Sequence, residues 1–366
     1  MTSFNRGALL VGASWAILAL AGCGTADKAT DNAETTPVEV AEQTPVDTVE
    51  ATEQLVLSAA ACTPPPVDRC TRGEDCGALV IEQGPAVNPE TDRNYYLDYS
   101  CDLKKGEPVN LVLNLHGAGS YGNWQRHYFP ILDYADDYNL VVVTPNAPPQ
   151  MWAQTDDEHL QTIVSSLIDE IGAENIASFW LAGHSQGGIT SRRLVCTPFF
   201  EDKVDGMLSL SGGRVGRAEL SPDFYRPDME AVMRNRPAFP PEVIPDCDFS
   251  HIYETGELEI VSLPETSVWA EKYSCDAREA SVITDTEPGY VYDASSQENP
   301  NPVWGLLPRA GEADLYVYPG CADGRVVADV VRRGKGHTEG LEPKVTEEIV
   351  KLMVSVPTSK IASGAN

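Results

Sequence analysis

The chain has 366 residues, 42% of them hydrophobic and 22% charged, which is enough to bury the core of one large domain with insertions. Its 26 Lys and Arg stand against 55 Asp and Glu, a formal charge of −29. A surface that acidic repels phosphate backbones and anionic headgroups, which excludes nucleic-acid binding; a solvated acidic face is the plain reading.

Residues 1–22 read as an export signal. Arg6 precedes an apolar run over residues 8–20, too short to span a bilayer as a stable helix. The run ends in Leu20-Ala21-Gly22-Cys23, which resembles the lipobox of bacterial lipoproteins. That resemblance implies that Cys23 is lipidated and begins the mature chain. With Gly24 in place of an aspartate, it also implies an outer-membrane or cell-surface anchor. An ordinary cleaved signal followed by a stray cysteine is the alternative. From Cys23 to residue 60 the chain is rich in Thr, Ala, Glu, Asp and Pro without apolar periodicity, an acidic disordered tether. A flexible chain of that length spans about 35 Å, and the membrane is met only through the lipid. Residues 61–366 remain for the folded domain.

Export makes the cysteines readable. Cys62, Cys70, Cys76, Cys101, Cys196, Cys247, Cys275 and Cys321 form an even set, up to four disulfides in an oxidising compartment. Cys70 with Cys76 is expected as a local clip and Cys275 with Cys321 as a staple of a C-terminal insertion. There is no Cys-x-x-Cys and no His-Glu-x-x-His, so neither metal nor cofactor is expected.

Residues 78–81 and 95–99 read as an early antiparallel pair, and residues 111–115 as a buried strand. A helix-like stretch over 124–137 and a strand at 140–143 follow. Leu160, Ile163, Val164, Leu167 and Ile171 recur at helical spacing. An apolar strand at 178–182 comes next, then a helix and a strand at 206–211. The alternation predicts an α/β fold, a mostly parallel sheet with helices on both faces. Proline-rich stretches at 222–245 and around Pro300 read as excursions over the sheet.

The 178–182 strand runs into Gly183-His184-Ser185-Gln186-Gly187, the G-x-S-x-G pattern of a nucleophile elbow. Glycines two before and two after the serine relieve the collisions of so tight a strand-to-helix turn. A serine hydroxyl needs a histidine to take its proton, and such sites run serine, acid, histidine along the chain. Of six histidines, His337 fits, in the glycine-bracketed loop Gly334-Lys335-Gly336-His337 between an apolar run and a final helix from Lys344. Asp323 is a tempting acid. However, the strands at 315–318 and 326–331 lie too close in sequence for a parallel crossover, so they form a hairpin with Asp323 in its turn. The acid is then expected after the strand at 249–253, where Glu254, Glu257 and Glu259 compete and Glu257 is preferred.

For the oxyanion, backbone N–H groups are expected from Gln186 and from Ala118 in the loop His116-Gly117-Ala118-Gly119. This loop formally matches G-x-G-x-x-G. The next strand, however, runs into Thr144-Pro145-Asn146, with no acidic residue to hold a ribose, which rejects the dinucleotide reading. His116, Trp124 and Trp152 are candidate substrate contacts, with core packing the alternative for the tryptophans.

At these residues the chain resembles the extracellular polyhydroxybutyrate depolymerase and feruloyl esterase group of α/β-hydrolases. The resemblance rests on Leu115-His116-Gly117-Ala118-Gly119, Gly183-His184-Ser185-Gln186-Gly187-Gly188, Thr255-Gly256-Glu257, Tyr318-Pro319-Gly320-Cys321 and Gly336-His337-Thr338. It covers about residues 110–259 and 313–340. It implies an α/β-hydrolase fold with a C-terminal insertion and a serine esterase acting on hydroxyalkanoate or feruloyl and acyl-polysaccharide esters. Two departures stand out: a glutamate where the group has an aspartate, and Glu339-Gly340 after Gly-His-Thr, which alters the substrate rim. An amidase or exopeptidase on the same fold, and a non-catalytic surface lipoprotein, are the competing readings. The sequence is silent on oligomeric state.

Overall fold

The computed structural model describes residues 53–63, 86–88, 90–214, 219–224, 244–293 and 300–364. The export signal, Cys23, the tether up to residue 52, the strand at 78–81 and the Cys70–Cys76 clip lie outside the described residues.

The strands are β1 (Ala86–Asn88), β2 (Arg93–Tyr99), β3 (Val109–Leu115), β4 (Leu140–Pro145), β5 (Ile176–His184), β6 (Gly206–Leu210), β7 (Glu219–Leu220), β8 (Ser250–Gly256), β9 (Ile260–Ser262), β10 (Glu279–Thr284), β11 (Glu312–Tyr318) and β12 (Val327–Arg332). The helices are α1 (Gly122–Tyr128), α2 (Asp157–Ile171), α3 (Gln186–Leu194), α4 (Val268–Lys272), α5 (Pro343–Val354) and α6 (Lys360–Gly364). Among the described residues the main sheet runs β1-β2-β4-β3-β5-β6-β8-β12-β11-β10, and β7 pairs with β9 separately. From β4 through β12 every neighbouring pair is parallel. Antiparallel strands close both ends. This is the α/β-hydrolase order, with β10 and β11 as the C-terminal addition.

Alternation along the strands sends side chains to two cores. On one face Leu113, Phe179, Leu181 and Met207 meet Leu160, Val164 and Leu167 of α2 and Ile361 of α6. On the other, Val112, Trp180, Leu208 and Val330 meet Tyr128 of α1 and Ile349 and Met353 of α5. The β11–β12 pairing is antiparallel, with β12 parallel to β8, as the loop-length argument required.

Two boundaries differ from the sequence reading. The expected helix at 124–137 stops at Tyr128, and a separate 3-10 turn covers Ile131–Tyr134. Pro130 is the cause: it offers no N–H and pushes Phe129 out of helical backbone. The folded part also begins before residue 61. Leu55 and Leu57 are buried, Leu55 N–H donates to the Leu103 carbonyl, and Cys62 is bonded to Cys101. Two buried leucines, backbone hydrogen bonds and the Cys62–Cys101 disulfide hold the end of the expected tether against the end of β2 and the residues after it.

Cys275–Cys321 is present as expected, and Cys196–Cys247 joins it. The three disulfides among the described residues fit an oxidising compartment outside the cytoplasm. No helix among the described residues is long and apolar enough to cross a membrane.

Buried histidines give the fold a pH limit. Burial lowers His116 and His159 to about 4 and His251 to about 3, and holds His184 well below the ordinary imidazole range. Folded, these rings stay neutral while the unfolded chain takes up their protons below about pH 6.5, so their contribution is lost as pH falls toward 4 and below. Burial raises Asp205 to about 6 and Glu254 to about 7, which acts oppositely and fades as pH rises through those values. Burial also raises Asp285, but four histidines outweigh these three carboxyls between about pH 4 and 6.5. The melting temperature should therefore fall steadily across that window in buffers of constant ionic strength. A flat profile would show that the rings are not held neutral.

Candidate active site

Ser185 sits between β5 and α3 with φ 50° and ψ −116°, a backbone that a non-glycine residue adopts only under constraint. Close approach imposes it. A Cβ on Gly187 would lie 2.1 Å from the Leu115 carbonyl oxygen, and one on Gly183 would lie 2.3 Å from the Gly187 carbonyl carbon. The ends of β3 and β5 and the start of α3 therefore touch only because these residues are glycine. The Ser185 N–H donates to the Leu210 carbonyl at 2.8 Å, which ties the turn to β6.

The loop after β12 delivers His337. A Cβ on Gly336 would lie 2.2 Å from the Pro302 carbonyl oxygen, so glycine is what lets this loop lie against residues 302–305. The His337 N–H donates to Val303, and its carbonyl accepts from His184 Nε2 at 2.9 Å and from the Tyr128 hydroxyl at 3.3 Å. Its ring lies between two partners, Nε2 being 2.9 Å from Ser185 Oγ and Nδ1 2.6 Å from Glu259 Oε2. An ionised carboxylate only accepts, so Nδ1 carries the proton and the Nε2 lone pair faces the serine hydroxyl.

The carboxylate at His337 is thus Glu259, where the sequence reading preferred Glu257. A single 3-10 turn, Glu257–Glu259, separates β8 from β9. Its first residue faces outward: Glu257 is exposed and accepts from the Gly334 N–H. Its third residue folds back over the strand end, where Glu259 Oε1 accepts from the Gly256 N–H at 2.8 Å and from Ser211 Oγ at 2.7 Å. With Oε1 held by two donors, Oε2 is left for the imidazole. Asp323 lies in the β11–β12 turn at φ 55°, and Glu254 is buried in an ion pair with Arg332 at 2.6 Å.

The loop after β3 approaches Ser185 from the other side. A Cβ on Gly117 would lie 3.3 Å from Ser185 Cβ. His116 is fully buried, so the expected contact with substrate gives way to an internal one. Its Nε2 accepts from the Ala147 N–H at 3.0 Å, and Nδ1 donates to the Gly117 carbonyl at 2.7 Å. Peptide planarity makes the Ala118 N–H point opposite to that carbonyl, away from His116. The Gln186 amide side chain exchanges two hydrogen bonds with the Trp152 backbone, at 3.0 and 3.3 Å. The backbone N–H groups of Ala118 and Gln186 have no backbone acceptor among the described residues.

Both tryptophans are packed rather than presented. Trp152 is buried and donates from Nε1 to the His116 carbonyl at 2.7 Å. Trp124 is buried against Tyr128, stacked at 5.0 Å, and lies 5.5 Å from His184. The aromatic residues that do meet His337 were not foreseen. Phe224 and Trp304 stack at 5.3 Å and stand edge-on to its ring at 5.1 and 4.9 Å. They come from the two excursions, which no local pattern ties to the site. Ser211, beyond β6, was also missed; a serine of positive φ that carries no motif gives no signal.

No family model matches the sequence, and no curated protein matches it. Among solved structures, the chain is similar to an acetyl xylan esterase from Aspergillus awamori, at 14% identity and a TM-score of 0.42 over 72% of this chain and 95% of that one. A phospholipase/carboxylesterase from Dyadobacter fermentans aligns at 15% identity and a TM-score of 0.33 over 72% of this chain and 96% of that one. An S-formylglutathione hydrolase from Staphylococcus aureus aligns at 16% identity and a TM-score of 0.30, over 47% of this chain and 75% of that one.

Proposed function

We propose that this protein is a serine carboxylic-ester hydrolase that works through an acyl-enzyme. The observation that carries the reading is the continuous line from Ser185 Oγ through His337 to Glu259, at 2.9 and 2.6 Å. Ser185 Oγ attacks the ester carbonyl carbon as His337 Nε2 takes its proton, and Glu259 holds the imidazolium that forms. The carbonyl oxygen gains the negative charge and is met by the Ala118 and Gln186 N–H groups. The C–O bond to the alcohol then breaks, the leaving alkoxide takes the proton from Nε2, and the acyl group stays on Ser185. Water repeats the sequence: it gives its proton to Nε2, attacks the acyl carbon and releases the carboxylic acid as the proton returns to Ser185. No cofactor enters.

The motifs shared with the polyhydroxybutyrate depolymerase and feruloyl esterase group support hydroxyalkanoate oligomers or feruloyl and acyl-polysaccharide esters as substrates. The lipobox-like Leu20-Ala21-Gly22-Cys23 supports display on the cell envelope, on a lipid-anchored tether. The test is hydrolysis of a chain-length series of p-nitrophenyl esters by the disulfide-bonded protein, beside the matched p-nitroanilides. Ester turnover with the anilides left intact is expected. Preferential anilide cleavage would make the protein an amidase, and silence on both series would leave only binding.

A further inference from the structure

His184, the residue before the nucleophile, belongs to none of the roles above. It is buried at 3% exposure, and its ring lies 4.1 Å from that of Tyr128 and 4.7 Å from that of His337. Its two nitrogens face different loops. Nε2 lies 2.9 Å from the His337 carbonyl oxygen. Nδ1 has no hydrogen-bond partner among the described residues and abuts the oxyanion loop, where a Cβ on Gly117 would stand 2.8 Å away.

We propose that His184 is a positioning residue: a neutral imidazole wedged between the oxyanion loop and the His337 loop, whose Nε2–H fixes the main chain of His337. The inference rests on the reading of Ser185 and His337 as the reacting pair. Burial foremost, and the nearby His337 ring whenever it carries a second proton, keep the His184 ring from taking a second proton. One nitrogen must donate, and the carbonyl at Nε2 settles which. The His337 peptide is then gripped on both sides. Its N–H is held by the Val303 carbonyl, and its C=O by His184 and by Tyr128 at 3.3 Å. Tyr128 also lies near Ser211, whose hydroxyl donates to Glu259 Oε1. The backbone of the base and the carboxylate that orients it thus share one buried frame.

Such a grip matters because His337 must keep its bond to Glu259 while its other nitrogen meets first the serine and then the leaving group. Small losses of register between reacting groups cost rate before they cost binding. Glycine at 117 fits the same account: any side chain there would strike the bare Nδ1.

The experiment compares His184→Phe, which keeps a ring but loses the donor, with His184→Gln, whose amide nitrogen reaches the place of Nε2. Tyr128→Phe serves as a second variant. Steady-state hydrolysis of a p-nitrophenyl ester is measured well below each melting temperature. His184→Phe should lower kcat about tenfold with KM unchanged, the worth of one hydrogen bond, and His184→Gln should recover most of the loss. Tyr128→Phe should lower kcat by a few-fold, again without a change in KM. The proton resonance of His337 Nδ1 should move in the Phe variant and return in the Gln variant. If kcat and that resonance in folded His184→Phe match the wild type, or if Gln and Phe are equally impaired, the proposal is overturned. If wild-type protein hydrolyses no ester, the fault lies with the esterase reading instead.

Discussion

Glu259→Gln should reduce kcat by about three to four orders of magnitude, the scale seen when a triad acid loses its charge, with KM little changed. The amide would fill the same space but could not match both of its neighbours. Glu259 Oε1 accepts from Ser211 and Gly256, and Oε2 accepts from His337 Nδ1. An amide placed with its oxygen toward those two donors presents its NH2 to the imidazole, which then offers Nδ1 as acceptor and carries its proton on Nε2, facing the serine. The base is inactivated by its tautomer. Glu257→Gln is the matched control, since that carboxylate is exposed and, among the described residues, meets only the Gly334 N–H. It should stay within twofold of wild type, since a surface substitution of this kind changes little. Steady-state kinetics on one ester substrate decides between them, and a reversed pattern would return the acid to the first residue of the turn.

His337→Ala should be more severe, lowering kcat by about 10⁶, because without a base the serine hydroxyl is hardly a nucleophile. Removing the ring also takes away the surface against which Phe224 and Trp304 stand, and leaves Glu259 facing a void. A lower melting temperature is therefore expected beside the lost activity. Circular dichroism and a count of free thiols separate the two, since folded protein with its disulfides intact but no turnover isolates the chemical role. Turnover within tenfold of wild type in folded His337→Ala would remove His337 from the reaction.

Much of this arrangement is legible in the sequence, for reasons that can be named. The elbow declares itself because β5 is a largely apolar strand running into Gly183 and His184, and only glycine avoids the 2.1 and 2.3 Å approaches that a Cβ would make at 187 and 183. His337 is reached by its place in a glycine-bracketed loop after the last apolar run and ahead of the final helix, while the short β11–β12 link forces a hairpin that sends the expected acid back to the loop after β8. The step that fails is local. Glu257, Leu258 and Glu259 offer two like carboxylates two residues apart, and a single 3-10 turn decides which of them faces inward. A hint was present, since a glutamate three residues after Gly256 is placed to accept that residue's N–H. His116 misleads for a related reason. A histidine beside glycines looks like a ligand contact, but burial and two internal hydrogen bonds spend both of its nitrogens. Phe224 and Trp304 are reached only through long excursions, so their meeting over His337 is tertiary information that no spacing carries.

The central claim, that Ser185 is the nucleophile of a hydrolytic site, is tested most directly by covalent capture. Oxidised wild-type protein would be incubated with a small p-nitrophenyl phosphonate, digested and mapped by mass spectrometry, with ester hydrolysis followed in parallel. A single adduct on Ser185, growing in step with the loss of activity and absent from His337→Ala, is the predicted result. An adduct elsewhere, or ester hydrolysis that continues at full rate once Ser185 is modified, would contradict it.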